Sequence, residues 1–216
     1  MDRAASTLVV SLGLLVATAC STKAAPAAAH SPGSPGPGST APPTGASSAG
    51  ASPKQRPAPV EKNPPGDIPD NIAYIAYRNA AGRYTFMHPE GWASVVQGTT
   101  VTFTDKLNGI NAASRAASAP PTVASAKADL GALQATQPAF ELRSVKPVSL
   151  PAGTGVLIVF RRNSAPDQVT GKVFRDEVQR YEIYRGGREV ILDLFGAVGS
   201  DNVDPYTKIS QSLRIS

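Results

Sequence analysis

The sequence predicts an α+β domain in which an antiparallel β-sheet is flanked by helices. Three observations point to it. Between two β-rich segments lies Tyr184-Arg185-Gly186-Gly187-Arg188-Glu189, whose paired glycines supply the positive φ angles of a type I′ hairpin. Leu157, Ile158, Val159 and Phe160 put apolar side chains on both faces of one strand, so that strand is covered twice, by helices on either side. Val123, Ala126, Leu130 and Leu133 recur at helical spacing just after Pro120-Pro121.

Three segments follow from composition: 1–19, 20–70 and 71–216. In the first, Arg3 and the terminal amine form a weak positive region and Leu8 to Val16 an apolar stretch, as in a secretory signal. It ends at Cys20, the only cysteine of the 216 residues. Ala17-Thr18-Ala19-Cys20 resembles the lipobox of bacterial lipoproteins, with Ala17 in place of the usual leucine. A plain signal cleaved after Ala17-Thr18-Ala19 and a short uncleaved anchor are the competing readings. The anchor fails on length. Lipidation consumes a thiol that secretion would leave reactive. Cys20 is therefore the expected site of a diacylglyceryl group and an N-terminal acyl chain, two hydrophobic signals being enough for stable anchoring.

Of the 20 prolines, 12 fall between Cys20 and Asp70, and Val60 and Ile68 are almost the only large apolar residues there. Such a stretch reads as a tether with a reach of roughly 40 Å as coil and roughly 155 Å fully extended. It is expected to bury nothing, so that removing Ser21 to Asp70 should leave unfolding unchanged. His30 lies in it as a solvated residue.

From Asn71 the pattern turns β-rich. Ala73 to Arg78, Arg83 to Met87, Ser94 to Val96 and Thr100 to Thr104 read as an antiparallel meander, with Tyr84 and Phe86 on one face and Val101 and Phe103 on one face. The helix at Val123 takes Thr122 as its N-cap. Strands Phe140 to Leu150 and Gly155 to Arg161 follow, joined through Pro151-Ala152-Gly153. In the hairpin, pairing Arg185 with Arg188 sets Tyr184 opposite Glu189, Ile183 opposite Val190, Tyr181 opposite Leu192 and Arg180 opposite Asp193. One face is then apolar and the other carries an opposite-charge pair. Asp204-Pro205 reads as N-cap and first residue of a closing helix that turns Tyr206, Ile209 and Leu213 inward. Asp201 and Asp204 are read as caps and not as metal ligands.

Tyr84, Phe86, Pro89, Gly91, Trp92, Phe103 and Asp105, in YTFMHPEGW and VTFTD, resemble the opening hairpin of the PsbP family, extrinsic photosystem proteins and their bacterial relatives of the Mog1/PsbP fold. The closing DNVDPYTKISQSLR resembles the last helix of bacterial lipoproteins of this type. The resemblance implies an α/β/α sandwich with a non-catalytic binding or assembly role. It transfers no functional residue.

The residues offer little for catalysis. His88 is the only histidine of 71–216, it precedes Pro89 in a turn, and no nucleophile-elbow, zinc-protease, Walker or dinucleotide motif occurs. A pair of carboxylates remains the one enzymatic possibility, a hydrolase of the envelope. Trp92 reads as a core anchor. Residues 71–216 carry 16 Lys and Arg against 12 Asp and Glu, interleaved throughout, which does not fit nucleic-acid binding. The expected molecule is a monomeric, lipid-anchored binding or assembly module on the outer face of the bacterial cytoplasmic membrane, without a cofactor or metal. Its partner is a protein or a cell-wall component. A carrier of a small apolar or lipid ligand in a pocket between sheet and helix is the alternative. Arg185 and Arg188, facing each other at the hairpin tip, are read as an exposed turn with Glu189 compensating one of them. They are also the candidate contact with anionic headgroups or polymers.

Overall fold

The computed structural model describes residues 55–60 and 66–216, all within the unit that runs from Gly50 to Ser216. Cys20, His30 and most of the tether lie outside them. Two antiparallel sheets and two helices make up the described chain. Strands β1 (Tyr74–Asn79), β2 (Tyr84–Pro89) and β10 (Arg214–Ile215) form a small sheet in the order β1-β2-β10. The large sheet contains β3 (Ala93–Gln97), β4 (Thr100–Asp105), β5 (Asn108–Ala116), β6 (Glu141–Leu150), β7 (Gly153–Asn163), β8 (Arg175–Arg185) and β9 (Arg188–Ala197). Its order is β3-β4-β5-β9-β8-β7-β6. Helices α1 (Val123–Thr136) and α2 (Val203–Ser212) complete the fold, which is α+β with an antiparallel sheet flanked by helices.

The hairpin register is the one the turn dictates: Arg185 faces Arg188, Tyr184 faces Glu189, Ile183 faces Val190 and Arg180 faces Asp193. Gly186 and Gly187 have φ of 54° and 83°. Alternation along these strands builds two cores. On one face Tyr181, Ile183, Val190, Leu192 and Leu194 join Tyr84, Phe86, Trp92 and Phe103, with Tyr206, Ile209 and Leu213 of α2 packed among them. On the other, Val156, Ile158, Phe160 and Val178 lie beneath Ala126 and Leu133 of α1. Strand β7 is thus buried from both sides, although it stands next to the edge and not at the centre of the sheet. Thr122 caps α1 as expected: its Oγ1 accepts from Ser125 N at 3.1 Å while Ser125 Oγ accepts from Thr122 N at 2.9 Å.

Several expectations need correction. The meander divides after β2, because β2 pairs with β1 on one side and with the C-terminal β10 on the other, and β3 and β4 enter the large sheet. The layer opposite α1 is therefore α2 together with a second sheet, not a helix alone. Strand β5 went unread because NGINAASRA has a single large apolar residue, Ile110. Pairing with β4 and β9 makes it a strand. Helix α2 begins after Asn202, so Pro205 is its third residue and Asp204 its second.

The boundary at Asn71 also moves. Ile68 is 3 % exposed and belongs to the main core. Asn108 Nδ2 donates to Gly66 O at 2.7 Å, and Asn202 Nδ2 donates to the same oxygen at 3.1 Å and to Asn108 Oδ1 at 2.9 Å. Ile68 N donates to Asn202 Oδ1 at 2.8 Å, and Asp201 N donates to Asp67 Oδ1 at 2.8 Å. Asn163, at the end of β7, holds residues 55–60 in the same way: its Oδ1 accepts from Ala58 N at 2.8 Å and its Nδ2 donates to Arg56 O at 2.8 Å. Part of the segment expected to bury nothing is bound to the sheet by asparagines.

Candidate functional site

Helix α1 packs on β6 and β7 and leaves the middle of its sheet face open, and side chains there are set by register. Ile158, Arg180, Asp193, Asn111 and Thr102 stand side by side on β7, β8, β9, β5 and β4. One step along, Val156, Glu182, Ile191 and Ala113 form the next row, and Glu189 then faces Arg115. Charged side chains are carried on central strands because α1 stops short of them and water reaches their outer ends.

Arg180 grips Asp193 through two bonds, Nε to Oδ1 at 2.7 Å and Nη2 to Oδ2 at 2.8 Å. Arg115 grips Glu189 likewise, Nε to Oε2 at 2.9 Å and Nη2 to Oε1 at 3.1 Å. Such bidentate pairs fix the geometry of both partners. Glu182 lies between the pairs, half-buried, and has no hydrogen bond or ion pair among the described residues. Burial pushes its carboxyl above the usual range and Glu189 and Asp193 push the same way, against the pull of Arg180 and Arg115.

A cleft of about 420 Å³ opens between α1 and these rows. Leu130 and Leu133 of α1 with Ile158 and Ile191 of the sheet form its apolar wall, and Arg115, Arg180, Glu182 and Asp129 its polar one. Both arginines are neutralised by Glu189 and Asp193, so Glu182 and the rim residue Asp129 give the cleft a negative balance. The arrangement suits a cationic group carried on an aliphatic stem.

The sequence reading anticipated one pair of this site, Arg180 with Asp193, and missed Glu182, Arg115 and Asp129. Glu182 was legible from the hairpin register, which puts it two residues from Arg180 on the same face. Arg115 was hidden with β5, and Asp129 needs the helix placed over the sheet.

The remaining candidates sit elsewhere. His88 is buried on the opposite side of the sheet, its ring stacked on Phe103 with centroids 4.0 Å apart and its Nδ1 2.9 Å from Pro89 O. Burial holds its pKa below the ordinary value. Trp92 is a core residue. Arg185 and Arg188 face each other at the tip, but Glu189 compensates neither of them, because Arg115 occupies both of its oxygens. Arg185 Nη1 instead donates to Pro151 O at 3.4 Å and Arg188 Nη1 to Ser114 Oγ at 3.3 Å. Asp201 and Asp204 provide no side-chain cap to α2.

No protein-family profile matches the chain, and no curated protein matches it in sequence. Solved structures resemble it in three dimensions. A cyanobacterial PsbP (CyanoP) from Synechocystis sp. PCC 6803 is 16 % identical, with 67 % of this chain and 94 % of that one covered and a TM-score of 0.45. The Ran-binding protein Mog1p of Saccharomyces cerevisiae is 6 % identical over 67 % of this chain and 96 % of that one, at a TM-score of 0.41. A protein from Bacteroides thetaiotaomicron VPI-5482 is 11 % identical over 65 % of this chain and 48 % of that one, also at 0.41. The fold class stated above rests on the strands and helices of the chain itself.

Proposed function

We propose that this chain is a lipid-anchored, non-enzymatic binding module on the outer face of the bacterial cytoplasmic membrane, and that it takes a basic segment of a protein partner into the cleft beneath α1. The observation that carries the reading is Glu182, a carboxylate without a hydrogen-bond or ion-pair partner among the described residues, between two closed arginine pairs and beside an apolar wall. A lysine or arginine side chain would lay its methylenes on Leu130 and Ile191 and bring its charge to Glu182. A lipid chain would instead have to desolvate both ion pairs, which disfavours the carrier alternative. For catalysis the cleft offers no histidine and no thiol among its lining residues.

Titration of the full chain with a short lysine-containing peptide tests the cleft. Binding should weaken about 10-fold in Glu182→Gln, equivalent to about 1.4 kcal/mol, and should fall with added salt. Equal binding by the variant, or equal binding of a peptide with norleucine for lysine, would contradict it. The anchor is supported by the segment ahead of Cys20 and by the lone thiol. Expressed in a bacterium, the chain should partition into the detergent phase, and Cys20→Ser should appear in the aqueous phase or stay unprocessed. Wild-type protein found in the aqueous phase would remove the lipidation from the account.

A further inference from the structure

Antiparallel pairing gathers the turns of the chain at two ends, and the ends differ in charge. Segments 79–84, 97–100, 116–121, 150–153, 185–188 and 213–216 meet at one of them. They contain Arg83, Arg185, Arg188 and Arg214 and no aspartate or glutamate. Hydrogen bonds tie the small sheet to the large one there. Ser114 Oγ donates to Gly82 O at 2.8 Å and accepts from Arg188 Nη1 at 3.3 Å, and Asn79 Nδ2 donates to Gly98 O at 3.1 Å. Arg78 joins the group, since it and Arg214 both stand opposite Thr85. At the other end, segments 66–72, 89–92, 105–108 and 198–202 carry Asp67, Asp70, Glu90, Asp105 and Asp201 against Lys106, while 164–174 carries one charge of each sign.

Arg78, Arg83, Arg185 and Arg214 are exposed and Arg188 is half-buried. None of the five has an ion pair among the described residues. Glu189, next to Arg188 in sequence, has both oxygens bound to Arg115. Three of the five stand where local chemistry disfavours them. Arg185 and Arg188 face each other, a like-charge pair that costs the hairpin stability. Arg83 has a φ of 56°, in the left-handed region that glycine and asparagine enter more readily. Uncompensated charge held against these costs calls for an anionic partner.

The spread of the charges says what kind. Arg78 and Arg214 lie two strands apart, about 10 Å, and the hairpin tip belongs to the other sheet. The cleft beneath α1 is lined by none of the five. A single small anion would reach one or two of these guanidinium groups, whereas a chain of repeating anions meets several at once. The guanidinium fork matches phosphate bidentately. Two features favour a polymer over a lipid surface. The turns at this end expose no large apolar side chain that could enter a bilayer. The chain also enters the fold at the opposite end, where Asn163 holds residues 55–60 and Asn108 and Asn202 hold residues 66–68.

We infer that the arginine end is a docking surface for a linear polymer with repeating phosphate groups, extending the contact expected at the hairpin tip to both sheets. The choice of polymer over lipid rests in part on the anchor proposed above. The binding itself does not, and its test leaves Glu182 untouched.

The probe is long-chain inorganic polyphosphate, with pyrophosphate at equal phosphate concentration as the short comparison and calorimetry as the readout. Titrated into the full chain in a zwitterionic detergent, pyrophosphate should bind at least about 10-fold more weakly than the polymer. Arg83→Gln/Arg188→Gln should weaken polymer binding about 10-fold and flatten its dependence on salt, because fewer phosphates are neutralised. Arg56→Gln/Lys106→Gln removes the same charge from the opposite end and should leave polymer binding unchanged. Thermal unfolding that matches wild type shows that each variant folds. Equal polymer binding by Arg83→Gln/Arg188→Gln would overturn the proposal. So would an equal loss in the two double variants, which traces binding to net charge, or pyrophosphate binding as tight as the polymer's. Carried on vesicles of phosphatidylcholine, the full chain should bind the polymer as tightly when phosphatidylglycerol is mixed in. Loss of polymer binding on the mixed vesicles would place the arginines on lipid and overturn the polymer as their partner. Failure of the titration in detergent would leave the anchor standing, and a chain that leaves both vesicles would remove the anchor and leave the titration standing.

Discussion

Asn202→Ala should destabilise the folded chain by about 3 kcal/mol, because it strands buried polar groups on two separate elements. Asn202 Oδ1 accepts from Ile68 N, and its Nδ2 donates to Gly66 O and Asn108 Oδ1. Without it the Ile68 amide and the Asn108 carbonyl have no replacement in a region where both asparagines are buried. Ile68 would also loosen, and with it part of the main core. Urea unfolding of the full chain should show a lowered midpoint with little change in slope. Asn108→Ala removes a donor to the same Gly66 oxygen, so the two substitutions should be strongly non-additive. A midpoint within error of wild type would mean that residues 66–68 contribute nothing to the fold, as the composition of the tether suggests.

Gly155→Ala should cost about 3 kcal/mol or more, as overpacking against backbone does when neither strand can give way. Gly155 lies opposite Ile183 in the β7–β8 ladder. A Cβ added there would overlap the carbonyl oxygen of Glu182 and stand 3.1 Å from Ile183 Cα. The two strands would have to separate at the residue that carries the cleft carboxylate, so peptide binding should weaken along with stability. Gly131 provides the control. It lies within α1, and a Cβ at that position meets nothing within 4 Å. Gly131→Ala should therefore stabilise by about 0.5 to 1 kcal/mol through helix propensity. Thermal unfolding of the two variants should move in opposite directions.

Where local chemistry decided structure, the sequence could be read. Gly186-Gly187 dictated a turn, the turn a register, and the register the facing of Arg180 with Asp193. Thr122 was read from its place before a helical repeat, and Tyr206, Ile209 and Leu213 from their spacing. Reading failed where distant pairing decided. Strand β5 is built of small and polar residues and owes its conformation to its two neighbours, so Arg115 went unseen with it. Residues 66–68 look like linker because Gly66 and Asp67 have no apolar content, yet Asn108 and Asn202, distant in sequence, bind the backbone of Gly66 and Ile68, and the Asp201 amide binds the Asp67 carboxylate. The division of the meander after β2 is not legible because the second partner of β2, Arg214–Ile215, lies at the other end of the chain. Half of the cleft was legible for the same reason that half was not: β8 and β9 are neighbours in sequence, while β5 and α1 come to them from elsewhere.

The cleft as a receptor for a cationic group is tested most directly at the Glu182 carboxyl. In the free chain its pKa is raised, so between the ordinary glutamate value and the raised one the folded state keeps a proton that the unfolded chain releases. Stability from this group therefore falls as pH rises from the ordinary glutamate value through the raised one. A bound ammonium reverses the balance by favouring the carboxylate. The measurement is the ¹³C carboxyl titration of Glu182, assigned by its loss in Glu182→Gln, with and without the lysine peptide. The account predicts a titration midpoint above the usual range in the free chain that moves downward when peptide is bound. A midpoint that starts at the ordinary value, or that stays in place while the peptide binds, would contradict it.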